Sequence, residues 1–347
     1  MSEGQLPRQL DVEPGDLRAD GPPRRRPIIL HVALFLATFL TTTASGAINA
    51  HPSGAIAPIQ DGLSYSVPLL LILTCHELGH YLAARWHGVD ASLPYFIPFP
   101  PWLGLGTMGA VIGMRRVTRD RKKLIDIGAA GPLAGLVVAI PVILYGLAHS
   151  KVGPLAPRGV LEGNSLLYAF LKHAAKGEWL PNGRQDVYLH PTAYAGWAGL
   201  LVTMINLLPV GQLDGGHVAT AYFGNRYNAF AKRLHQFMPL VGVGVFFWVM
   251  HLVRVEMGVR YSQAFAVSAA FGAAVPWAIW WMLVGFVRRM GGGVNHPAVQ
   301  TQPLPPSRRA LFWLMVVVFV AIFMPVPSRV TSTGEDVAPA AGSPPQP

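Results

Sequence analysis

The chain has 347 residues, of which 52% are hydrophobic and 13% charged, where an ordinary soluble domain carries about 25% charged residues. That balance excludes a soluble globular protein and predicts apolar segments that lie in a lipid bilayer. The net charge of +10 does not point to nucleic acid, because the basic residues form no single patch. Arg24-Arg25-Arg26, Arg115-Arg116, Arg119, Arg121-Lys122-Lys123 and Arg288-Arg289 each flank an apolar run, as juxtamembrane loops do.

Residues 1–26 are polar and rich in proline and charge, and are expected to form a disordered cytoplasmic tail. They are too long and too charged for the start of a typical cleaved signal peptide, so Pro27–Gly46 reads as a retained first span. Tyr65–Trp86 is a second apolar run. In residues 91–115 the prolines Pro94, Pro98, Pro100 and Pro101 forbid a regular helix, while Val111 and Ile112 lie in a strand-like stretch. A small re-entrant β-like hairpin is expected there. Its edge would either pair with an extended substrate or simply support the second span.

Leu124–Ala148 is a third run, with Gly128, Gly131 and Gly135 forming a close-packing face against the second span and Pro132 adding a tolerated kink. Residues 149–190 form the longest outer loop, with a short helix expected over Ser165–Ala175. Pro191–Leu208 is a fourth run. Met238–Leu252 is short for a bilayer that needs about 20 residues, and Phe265–Val287 and Ala310–Val326 follow. The tail from Pro327 is expected to be disordered. The fold class predicted is an all-α polytopic membrane protein. It would have six to seven transmembrane helices and one hairpin, with a membrane domain over 27–326 between tails at 1–26 and 327–347.

Lys and Arg counts orient it. With the N-terminus in the cytoplasm, 19 of the 27 fall in the cytoplasmic segments 1–26, 85–123, 226–233 and 288–309. The end of the second span and the segment after Leu208 then lie on the same side and can meet.

His76-Glu77-Leu78-Gly79-His80 closes the second apolar run. An ionisable residue at membrane depth is a functional hypothesis by default. On a helix, His76 and His80 share one face about a turn apart, so both imidazoles can bind one Zn²⁺, and Glu77 can hold a water beside it. A catalytic zinc needs a third protein ligand. Asp214 is the outstanding carboxylate on the correct side: Pro209 and Gly211 should break the fourth span just before it, and Gly215-Gly216 lets the chain turn after it. An Asp that merely caps the next helix fits the same residues. Asp126 is a weaker rival, expected in an ion pair with Arg121-Lys122-Lys123. His217 is open as a fourth ligand, as a group supporting a ligand or as a merely packed side chain, and Cys75 reads as a small core residue.

His76-Glu-Leu-Gly-His80 together with Asn206-Leu-Leu-Pro209 and Leu213-Asp214-Gly215 resembles the site-2 protease family of intramembrane zinc metalloproteases. Pro94-Tyr-Phe-Ile-Pro98, Gly106-Thr-Met-Gly109 and Asp126-Ile-Gly-Ala-Ala-Gly131-Pro132 resemble its subgroup without a PDZ domain, which includes the plastid ethylene-dependent gravitropism-deficient proteins and bacterial relatives. The resemblance is dense over residues 65–225. It implies His76, His80 and Asp214 as ligands of one zinc ion and Glu77 as general base. It also implies Asn206 as an active-site residue that binds substrate backbone or the developing oxyanion. The implied partners are the lipid bilayer and a membrane-protein substrate cut in or near a spanning segment.

Two other readings use the same residues: a zinc-binding transporter or channel, and a catalytically silent relative that binds membrane clients. Against transport, the first and last spans are almost wholly apolar and Glu77 would have no required role. The lack of a recognisable transit peptide leads to the expectation of a bacterial inner membrane.

Overall fold

The computed structural model describes residues 28–50, 59–114, 118–154, 158–182, 185–256, 263–287 and 297–332, and these are mostly helical. The expected tail over 1–26, residues 333–347 of the other tail, and Arg115, Arg116, Arg288 and Arg289 lie outside them. Among the described residues, five helices are long and apolar enough to cross a membrane.

The first, α1 (Ile28–Ala50), runs past the expected end at Gly46. Ile29, Val32, Leu36 and Leu40 are exposed along one side, while Thr38, Thr42 and Ser45 are buried on the other. That second side faces β1 (Tyr95–Pro98) and β2 (Thr107–Val111), the antiparallel hairpin expected from the prolines, with Tyr95 opposite Val111 and Phe96 opposite Ala110. A hairpin at membrane depth must satisfy its main-chain groups from protein. Thr41 Oγ1 donates to Gly106 O at 2.7 Å, Ser45 Oγ to Gly104 O, and Tyr65 OH to Leu105 O at 3.0 Å. Gly106 has φ +75°, and a side chain on it would enter the Thr41 main chain, so glycine alone fits.

Next, α2 (Ile59–Trp86) starts six residues before Tyr65 and carries the histidine motif near its far end. It packs against α3 (Arg121–Ala148), whose first turn is capped by the Asp120 carboxylate accepting from the Lys122 and Lys123 N–H groups. Asp126 does not pair with Arg121, Lys122 or Lys123 as expected. It accepts from Arg308 at 3.2 and 2.9 Å and lies 3.0 Å from His87 Nε2, because α3 turns that side towards the end of α2 and the last helix. Cys75 is only half-buried, not the core residue expected.

The outer loop corrects the all-α expectation. β3 (Lys151–Pro154) pairs with β5 (Gln185–Tyr188), and β4 (Arg158–Glu162) pairs with β6 (Ser328–Ser332). Residues 328–332 of the expected disordered tail are therefore a strand: a long-range partner supplies hydrogen bonds that their composition does not advertise. Between the strands, α4 (Leu166–Lys176) matches the expected short helix, with Ser165 Oγ capping it through Tyr168 N–H.

α5 (Pro191–Asn206) is buried almost all round, at the centre of the bundle. After it come α6 (Asp214–Phe223), α7 (Tyr227–Glu256), α8 (Gln263–Val287) and α9 (Pro306–Ile322). The short run at 238–252 is thus the middle of a 30-residue helix. α5 and α9 have 16 and 17 residues, and α9 stops before Val326 because Phe323 is extended and Pro325 follows.

Candidate metal centre

α5 ends at Asn206, and Leu207–Leu213 is non-helical, with Gly211 at φ +60°. This break, expected from Pro209 and Gly211, re-aims the chain so that Asp214 opens α6 facing α2. His76 Nε2 stands 3.1 Å from Asp214 Oδ2, His80 Nε2 is 3.2 Å from the same oxygen, and the two Nε2 atoms are 3.2 Å apart. Three donors held at ~2.0–2.1 Å by one tetrahedral zinc stand about 3.3 Å from one another, so the triangle fits that ion. Both imidazoles are buried. His80 Nδ1 lies 2.7 Å from Ile127 O, which fixes the tautomer with the proton on Nδ1 and leaves Nε2 as the donor atom to a metal.

Glu77 is buried next to His76 and accepts from the Ile112 main-chain N–H, just after β2, so the hairpin holds this carboxylate. Asn206 Nδ2 lies 3.4 Å from His76 Nε2, which brings the fifth expected residue to the same place. His217 is buried against the α3 face at Gly128. It lies outside the group of His76, His80 and Asp214, the described His, Cys, Asp and Glu residues whose ligand atoms converge.

The glycines of α3 do more than allow close packing against α2. A methyl on Gly131 would overlap the His80 ring, one on Gly135 would come within 3.2 Å of His76 Nδ1, and one on Gly128 would press on His217 and the Asp214 carbonyl. Sequence reasoning missed Ile127 and Ile112, because what they contribute is a main-chain carbonyl and a main-chain N–H.

The chain matches the model of peptidase family M50 over residues 64–249. Among curated proteins, it is 39% identical over 168 residues to the probable zinc metalloprotease EGY1, chloroplastic, of Arabidopsis thaliana, covering 47% of this chain and 29% of that one. It is 31% identical over 207 residues to the probable zinc metalloprotease EGY2, chloroplastic, of Oryza sativa subsp. indica, covering 58% and 37%. With the probable zinc metalloprotease EGY3, chloroplastic, of the same rice, identity is 26% over 314 residues, covering 86% and 47%. The matched stretch thus spans little more than a third of the EGY2 protein's length. No solved structure matches. These plant relatives are chloroplastic, which runs against the expectation of a bacterial inner membrane. The family match covers more than half of the chain and contains both motifs, so the chain belongs to peptidase family M50, the site-2 protease family that its motifs resemble.

Proposed function

We propose that this chain is an intramembrane zinc metalloprotease that hydrolyses peptide bonds in or beside the spanning segments of membrane proteins. The observation that carries this is the convergence of His76, His80 and Asp214, with Glu77 beside them, at the end of a helix of membrane-crossing length. His76, His80 and Asp214 would hold the zinc. When bound, the ion supplies Lewis acidity, polarising a carbonyl oxygen and bringing the ionisation of water near neutrality.

Glu77 takes the proton of the attacking water and returns it to the leaving amine. Asn206 donates from Nδ2 to the substrate's main chain or to the carbonyl oxygen as it gains charge. The hairpin holds Glu77 through Ile112. Among the described residues β2 pairs with no strand besides β1, and its other edge is where an extended substrate segment would add by main-chain pairing. The membrane domain runs over 27–326. α5 and α9 add two short spans to the five long helices, and the zinc-holding end of α2 faces the same side as the N-terminus. The named zinc metalloprotease relatives favour this reading over a transporter.

The test compares membrane-protein fragments by mass spectrometry in cells expressing wild type or Glu77→Gln. New ends in or beside spanning segments should appear with wild type only, while both purified proteins carry one zinc. Full turnover by Glu77→Gln would overturn the mechanism.

A further inference from the structure

α6 carries Asp214 on its first residue and is only 10 residues long, entered through the non-helical stretch Leu207–Leu213 and left through a 3₁₀ turn at Gly224–Arg226. A helix this short does not hold itself in water. Its N-cap, Leu213, supplies no side-chain bond, and it has no basic residue in its last turn to answer the carbonyls left open there. Those carbonyls are answered from outside. Arg121, the first residue of α3, donates from Nε to Ala221 O at 2.7 Å and from Nη2 to Tyr222 O at 2.6 Å. Its third arm, Nη1, reaches Gln302 O at 2.8 Å.

The same helix α3 holds the other end of α6, where Gly128 lies against the Asp214 carbonyl, His217 and Val218. It also orients His80 through Ile127 O. One helix thus grips α6 at both ends and one histidine of the centre.

We infer that Arg121 is a positioning residue for the metal centre: by clasping the last turn of α6 it fixes where Asp214 stands relative to His76 and His80. The guanidinium's planar fork matters as much as its charge, because two adjacent carbonyls are met in one plane. A lysine keeps the charge at the helix end and loses the fork. The inference rests on the reading of His76, His80 and Asp214 as a metal site.

Cobalt(II) is the probe, with the full chain purified in detergent. Affinity is read by chelator competition, ligand geometry from the visible absorption bands, and fold integrity from melting of the metal-free protein. In Arg121→Gln, cobalt should bind about tenfold more weakly with altered bands, as when a group supporting a ligand is lost. Arg121→Lys should fall between that variant and wild type. A residue that only stabilises the fold would lower the metal-free melting temperature and leave affinity and bands alone, and that result overturns the inference. If Arg121→Gln does not accumulate, Arg121→Lys decides: weakened binding with altered bands supports the inference, and binding identical to wild type overturns it. Wild type that takes up no stoichiometric cobalt overturns the metal reading itself, a failure visible before any variant is made.

Discussion

Gly131 stands so close to His80 that a methyl group built on it would overlap Nε2, Cδ2 and Cε1 of the imidazole. In an exposed helix interior, Gly→Ala usually stabilises by roughly 1 kcal/mol. Here the sign reverses, because the added methyl must displace the atom that would hold the metal. Gly131→Ala should lose zinc on purification and about 10–100-fold in activity, as loss of a ligand's support does. Gly272 on α8 has open space around it, so Gly272→Ala should keep zinc and match or exceed wild-type melting temperature. Zinc content by elemental analysis, beside thermal melting, separates the two. A zinc-loaded Gly131→Ala protein would show that the ring has somewhere else to go.

Asn206 Nδ2 reaches within 3.4 Å of His76 Nε2. If it stabilises charge that grows on the substrate carbonyl, Asn206→Ala should lower kcat by about 100-fold, the scale of one lost oxyanion donor. KM and zinc content should change little. Loss of zinc instead would reassign Asn206 to holding His76 in place.

The helical membrane-type architecture and the convergence of the candidate site's residues were legible in the sequence for one physical reason. Apolar runs are dictated by the bilayer, and ionisable residues inside them stand out. His76, Glu77, His80 and Asp214 meet as expected, and the break at Pro209 and Gly211 brings Asp214 round. Less was legible where the contribution came from the main chain or from far along the chain. Ile127 O orients His80, Arg308 takes Asp126 from 182 residues away, and β6 pairs with β4 inside a stretch that composition alone marks as disordered. None of these leaves a periodicity or a spacing to read.

His217 separates the pattern from the geometry. One turn beyond Asp214, it reads as a possible fourth ligand, yet it lies against Gly128 and outside the converging group. His217→Ala should therefore retain one zinc per chain, with a lower melting temperature from lost packing. Asp214→Ala and His80→Ala should each lose zinc and all turnover. Chelation of wild type should give the same inactive state, and added zinc should restore it. A His217→Ala protein without zinc would return His217 to the ligand set.

On the outer face, Lys172 is fully buried with its Nζ 2.5 Å from Glu162 Oε1 and 3.5 Å from Asp186 Oδ1, and 4.9 Å from the centre of the Tyr168 ring. Removing the cation would leave two carboxylates buried together, so Lys172→Met should cost about 3–5 kcal/mol in stability while sparing the metal centre. Its pH dependence follows from Glu162. Burial pushes that carboxyl above its ordinary 4.5, with Lys172 pulling the other way. A raised value means the folded protein holds the proton more tightly than the unfolded chain. The corresponding stability is complete below 4.5 and is lost as pH rises through the folded value. Without Lys172 the folded value climbs further, so the loss in Lys172→Met should grow as pH rises above the ordinary 4.5 and shrink as pH falls towards it. Glu162→Gln should flatten that slope, since nothing is left to titrate at this position. Thermal melting of the three proteins across the range reads this directly, and a Lys172→Met deficit that is constant with pH would remove Glu162 from the explanation.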